Sequence, residues 1–79
     1  MAREAPLAAV IRLDLRSLPP PAPFQQALAA VDGLAPGQWL EVLTPLFPVP
    51  LLETLQQRGL RWSSQPCQDH GFAVVIMRP

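Results

Sequence analysis

Apolar and polar residues alternate at the end of the stretch from Ala8 to Leu15: Ile11, Leu13 and Leu15 fall on one side, Arg12, Asp14 and Arg16 on the other. That period of two predicts a strand with one buried face. Ser17-Leu18-Pro19-Pro20-Pro21-Ala22-Pro23 follows, and no strand or helix interior holds it, because each proline lacks a backbone donor. A first helical turn accepts proline, since its N–H groups have no intrahelical partner. Pro21 and Pro23 are therefore placed at the start of a helix, with Pro19 and Pro20 outside it. Phe24, Ala27, Leu28 and Val31 form its apolar stripe, and Gly33 ends it with Leu34 as the hydrophobic partner beyond. Phe24, Leu28 and Val31 are expected to face the sheet against Ile11 and Leu13.

Ala35-Pro36-Gly37 reads as a turn and Trp39 to Thr44 as a second strand. With Glu41 pointing outward, Leu40 and Val42 face in, and Trp39 and Leu43 face out. A second proline-rich step, Thr44 to Pro50, leads into a helix from Leu51 to Arg58, with Leu51, Leu52 and Leu55 inward and Gly59 as its stop. Leu60 to Gln65 is a third strand, with Leu60 and Trp62 opposite Arg61 and Ser63. Pro66 to Gly71 is a polar loop, and Phe72 to Met77 is a strand apolar on both faces, as an interior strand often is.

The predicted order is β-α-β-α-β-β: an α+β two-layer sandwich, a four-stranded mixed sheet with both helices on one face. Trp39, Leu43, Val75 and Met77 then share the uncovered face. An apolar patch there implies an interface, either a homodimer or a protein partner.

Composition adds limits. A chain of 79 residues is one domain, 1–79, and 49% hydrophobic residues can support its core. Six basic residues, all arginine, balance six acidic ones, so the net charge is zero. That balance offers no electrostatic footprint for nucleic acid and leaves association open. No apolar run approaches the ~18 residues of a membrane span. Met1 to Pro6 lacks the pattern of a signal peptide, which makes the cytoplasm the default compartment.

Leu13-Asp14-Leu15-Arg16-Ser17-Leu18-Pro19-Pro20-Pro21-Ala22-Pro23 resembles the opening motif of the SirA/TusA-like family: Leu-Asp-x-Arg-Gly-Leu, one residue, then Cys-Pro-x-Pro. Leu13, Asp14, Arg16, Leu18, Pro21 and Pro23 match; Ser17 replaces the glycine and Pro20 the cysteine. The element order matches as well, so the resemblance covers nearly the whole chain. It is similar in particular to a bacterial branch classed as a domain of unknown function, which lacks the cysteine and opens its second helix with a Pro-x-Pro-Leu-like step, as Val49-Pro50-Leu51-Leu52 does here. In the family the cysteine at the helix N-terminus carries a persulfide between partners, where unpaired N–H groups and the helix dipole favour a thiolate. Pro20 has no nucleophile, so sulfur transfer at that position is excluded. What the resemblance implies is the scaffold and a partner-facing edge of Asp14, Arg16, Pro20, Pro21 and Pro23.

The remaining chemistry is sparse. Cys67 makes no internal disulfide, being the single cysteine. The family's strand order, 1-2-4-3, puts it after the edge strand opposite the first, three strand spacings or about 14 Å from that position. Cys67, Asp69 and His70 offer a thiolate, a carboxylate and an imidazole within four residues, but a metal site generally needs three or four ligands with supporting hydrogen bonds. With no other histidine or cysteine a monomer adds only carboxylates and a dimer two copies, so a solvated hairpin loop is preferred. Ser17, Ser63 and Ser64 have no base, because the single histidine is assigned to a distant loop. Asp14 and Arg16 either cradle an anion or pair with each other to brace the proline loop, the second being preferred. The resulting expectation is a non-catalytic protein-interaction or ligand-binding module without cofactor or metal; a sulfur or redox carrier acting through Cys67 is the alternative.

Overall fold

The computed structural model describes residues 10–79; the expectations for Met1 to Ala9, including the start of the first strand, lie outside the described residues. Six elements follow in the order anticipated: β1 (Val10–Asp14), α1 (Ala22–Asp32), β2 (Trp39–Thr44), α2 (Val49–Gln57), β3 (Arg61–Pro66) and β4 (Phe72–Met77). The sheet order is β1-β2-β4-β3. β1 and β2 are parallel, and β4 is antiparallel to both β2 and β3. The fold is α+β with a mixed sheet, and none of its described helices is long and apolar enough to cross a membrane.

Register explains the layers. Leu40 pairs with Ile76 and Val42 with Val74. All four are completely buried and join Ala27 and Val31 of α1 and Leu51 and Leu55 of α2 in one apolar cluster. Both helices therefore cover the same face. Trp39, Glu41 and Leu43 point to the other face, opposite Met77, Val75 and Ala73. There Arg12 of β1 pairs with Glu41 at 3.0 Å. On the helix side Leu13 and Phe24 pack against the cluster half-buried. Ile11 departs from expectation: it lies on an edge strand and stays 39% exposed.

The two helices begin alike. Pro21 and Pro48 are the N-cap residues, and Pro23 and Pro50 stand at the second helical position. Each Pro-x-Pro fixes φ where the helix turns away from its strand. Helix α2 starts two residues earlier than the leucine pattern indicated, because Val49 and Pro50 belong to its first turn. The helices end differently. Gly59 has φ +74; its N–H reaches the Gln56 carbonyl while Leu60 N–H reaches Leu55, with both leucines buried. That is a Schellman closure. Gly33 instead keeps a right-handed φ of −88, and α1 tightens through bonds from Gly33 to Ala30 and from Leu34 to Val31. Arg78 Nη2 donates to the Val31 carbonyl at 2.9 Å, so a side chain takes up the helix end.

Candidate functional site

Because β1 and β2 are parallel, their C-terminal ends and the starts of both helices lie at one edge of the sheet. β4 runs the other way, and Thr44 pairs with Phe72, so the β3–β4 loop arrives at the same edge. Two features meet there: a cleft between the proline turns and a charged cluster on Arg16.

The cleft has a volume of about 120 Å³. Pro21, Pro23 and Phe24 form one wall, and Pro45, Phe47 and Leu51 form the other. Thr44 is its only polar side chain, 3% exposed, and its hydroxyl donates to the Leu46 carbonyl at 2.8 Å. That bond folds the segment after β2 back over the strand end, and Phe47 meets Phe72 edge-on with ring centres 5.4 Å apart. Leu46 at the rim is 69% exposed and Phe47 48%. Of the six large apolar side chains exposed among the described residues, three (Leu46, Phe47 and Val49) sit in this one turn. The clustering is the informative point, because apolar residues scattered singly over a surface are ordinary.

Arg16 organises the charged half. Its Nε donates to Asp14 Oδ1 at 3.0 Å and its Nη2 to Asp14 Oδ2 at 2.9 Å. Its Nη1 donates to both Asp69 oxygens at 2.9 Å and to the His70 carbonyl at 3.2 Å. The backbone N–H of Arg16 also binds Asp14 Oδ1. The side-chain and backbone bonds from Arg16 hold the Asp14 carboxyl down at about 2, from an ordinary 3.8. Asp69 is lowered too, first by the His70 backbone N–H and its own, then by the Arg16 charge. Arg16 itself is raised, chiefly by Asp14. A guanidinium saturated by two carboxylates has little left for an anion, so the cradle reading of Asp14 and Arg16 gives way to a clamp.

Gly71 makes the clamp reachable. At φ +81, a Cβ on it would stand 2.3 Å from the Thr44 carbonyl oxygen and 3.0 Å from Arg16 Cδ. Glycine lets the hairpin backbone press against the end of β2 while Arg16 passes beside it. The same contact joins the two halves of the site, since Thr44 also lines the cleft.

This corrects the sequence reading on one point. His70 is not remote: it lines a shallow depression with Asp14, Arg16 and Ser17. From β1 to β4 is two strand spacings, about 10 Å, and the Arg16 side chain bridges it because both loops stand at one edge. No hydrogen bond joins Ser17 to His70, and His70 Nδ1 stands 3.8 Å from Asp69 Oδ2, beyond hydrogen-bonding distance. Cys67 is half-buried beyond β3, its N–H bound to the Gly71 carbonyl at 2.9 Å.

Residues 12–78 match the family model described as "Uncharacterized conserved protein (DUF2249)". The chain belongs to the DUF2249 family. A search of curated proteins finds no match for this DUF2249 chain. Among solved structures it is similar to the SirA-like protein of Desulfitobacterium hafniense, with a TM-score of 0.69 and 18% identity over 84% of this chain and 93% of that one. At that identity the likeness concerns the fold, which is SirA-like. Within that fold this DUF2249 chain carries Pro20 where the resembling motif has cysteine, and Pro20 lines the cleft. Sequence reasoning had singled out Pro20, Pro21, Pro23, Asp14 and Arg16, and the structure brings them to this one edge. It had weighed Asp69 only as a metal ligand and had not singled out Leu46, Phe47 or Gly71, although a glycine opening an apolar strand after a polar loop was a signal for positive φ.

Proposed function

We propose that this DUF2249 domain is a non-catalytic protein-recognition module whose contact surface is the proline-lined edge. The observation that carries the reading is the cleft: apolar, rimmed by exposed Leu46 and Phe47, with Thr44 as its one polar side chain and that hydroxyl bonded to the Leu46 carbonyl. Its size favours one kind of ligand over the other. Small-molecule sites run from roughly 300 to 1,000 Å³, and a cleft of about 120 Å³ takes one side chain, not a metabolite. Interfaces concentrate their energy in such anchors, seated in pockets and ringed by contacts that exclude water. Acetyl-leucine N-methylamide tests this as the smallest anchor. Saturable amide shifts at Phe24, Leu46, Phe47 and Leu51 are expected; shifts scattered over the surface would reject the reading.

A second surface rests on a separate observation. Trp39 is 37% exposed on the sheet face that neither helix covers, beside half-buried Leu43, Val75 and Met77. A second copy packing there would cover all four, in keeping with zero net charge.

A further inference from the structure

We infer that the cleft receives a protein segment carrying an apolar anchor with a lysine or arginine next to it, an inference that rests on the recognition reading above. The charged half of the site supplies the argument. Two carboxylates face one guanidinium, and the exposure is lopsided: the side chains of Asp14 and Asp69 are 54% and 62% exposed, that of Arg16 only 19%. What an approaching chain meets is therefore carboxylate oxygen, with the positive charge beneath. His70 shares the depression, its Nδ1 3.8 Å from Asp69 Oδ2.

Helix dipoles pull the other way, because the N-terminus of each helix carries up to about half a positive charge on its unpaired N–H groups. The Pro-x-Pro steps remove most of those groups. In α1 the Ala22 N–H is taken by the Pro19 carbonyl, Pro23 has none, and the Gln25 N–H begins the helical bonding to Pro21, which leaves Phe24. In α2 the Val49 N–H is taken by Phe47, Pro50 has none, and Leu52 bonds to Pro48, which leaves Leu51. One donor per helix is a poor anion cradle, and full carboxylate charges outweigh it. The other described arginines do not reverse the sign: Arg12 pairs with Glu41 on the open face, Arg58 with Asp32, Arg78 with the end of α1, and Arg61 stands opposite Met77, at the far end of the β3–β4 pair from Phe72. Gly71, touching Thr44 of the cleft and Arg16 of the clamp, keeps anchor and cation within a few residues of each other on the partner.

Three acetylated, amidated tetrapeptides test it, Arg-Leu-Phe-Arg, Gln-Leu-Phe-Gln and Glu-Leu-Phe-Glu, titrated into the labelled protein and followed by amide shifts at low and high salt. The cationic peptide should bind about threefold or more tightly than the neutral one, the scale of an exposed ion pair. It should shift Ser17 and His70 as well as Leu46 and Phe47, and lose its advantage in high salt, where exposed charges are screened. Asp69→Asn should narrow the difference, and the acidic peptide on unaltered protein gives the same information without any mutation. Equal binding of the cationic and neutral peptides in the cleft overturns the cation while leaving the recognition reading standing. Tighter binding of the acidic peptide assigns the edge to anions and overturns it as well. No peptide binding up to several millimolar overturns both. Shifts at Leu46 and Phe47 that depend on protein concentration alone give the cleft to a second copy and also overturn the inference.

Discussion

Gly71→Ala perturbs the one point where hairpin, strand end and Arg16 meet. Two costs add. A residue with φ +81 pays roughly 1–2 kcal/mol for a side chain in the left-handed region. The new methyl would also stand 2.3 Å from the Thr44 carbonyl oxygen, and backbone cannot rotate away as a flexible side chain can. Forcing extra volume into a packed site costs about 1–3 kcal/mol more. The expected loss is about 2–5 kcal/mol, a large share of the roughly 5 kcal/mol that a small domain commands. Gly37→Ala is the control: it has the same φ of +81 and nothing within 4 Å, so it pays only the first cost. Urea unfolding followed by fluorescence of Trp39 and Trp62 measures both variants. With a slope near 1 kcal/mol/M, the midpoint should fall by about 1–2 M for Gly37→Ala and by about 2–5 M for Gly71→Ala. Equal losses in the two variants would refute the close approach and, with it, the placement of the hairpin beside Arg16.

Three other outcomes follow from the same geometry. The folded-state Asp14 carboxyl lies at about 2 against 3.8 when free, so its stabilising contribution is present above about pH 4 and drains away as pH falls toward 2. Asp14→Asn should flatten that acid limb of the stability curve, and an unchanged limb would contradict the clamp. Cys67→Ser should leave stability and partner binding unchanged, since Cys67 lies outside the cleft; binding lost in the serine variant, or a persulfide loaded readily on Cys67, would revive the carrier alternative. Sedimentation of Trp39→Ser against the parent at high micromolar concentration tests the sheet face: the parent should dimerise and the variant should not, and a monomeric parent would remove that proposal.

The fold was legible because its signals are local and repeated. Alternation set the faces of the second strand, so Leu40 and Val42 were assigned inward correctly, and the strand apolar on both faces, β4, does lie inside the sheet. Two proline steps marked both strand-to-helix turns, and α1 begins at Ala22, between the two prolines placed at its start, with Phe24 packed half-buried against the core. The site was legible only on its β1 side. Asp69 and His70 meet Arg16 across 53 and 54 residues of chain, and a lateral count of strand spacings ignores that antiparallel β4 returns its loop to the same edge. The helix end at Gly33 differed in that Gly33 stays right-handed and the Leu34 N–H bonds to Val31, with Arg78, 45 residues further on, adding a second donor to that same carbonyl. Leu46 and Phe47 went unassigned for another reason: nothing in the pattern of a proline-rich turn says which of its apolar side chains stay exposed at a cleft's rim. Thr44 decides that, through its hydroxyl bond to Leu46.

The account stands on the cleft being where another protein docks. Phe47, at its rim and 48% exposed, is a position at which a photo-crosslinking phenylalanine analogue can replace the native ring with small disturbance. The same analogue at Trp39 reports on the sheet face. Irradiation of cells expressing each variant should yield, at position 47, one adduct whose mass exceeds this chain by that of a different protein, and that adduct should weaken when Pro23→Ala loosens the cleft wall. No discrete adduct at position 47, or only a product of twice this chain's mass there, would contradict the central claim.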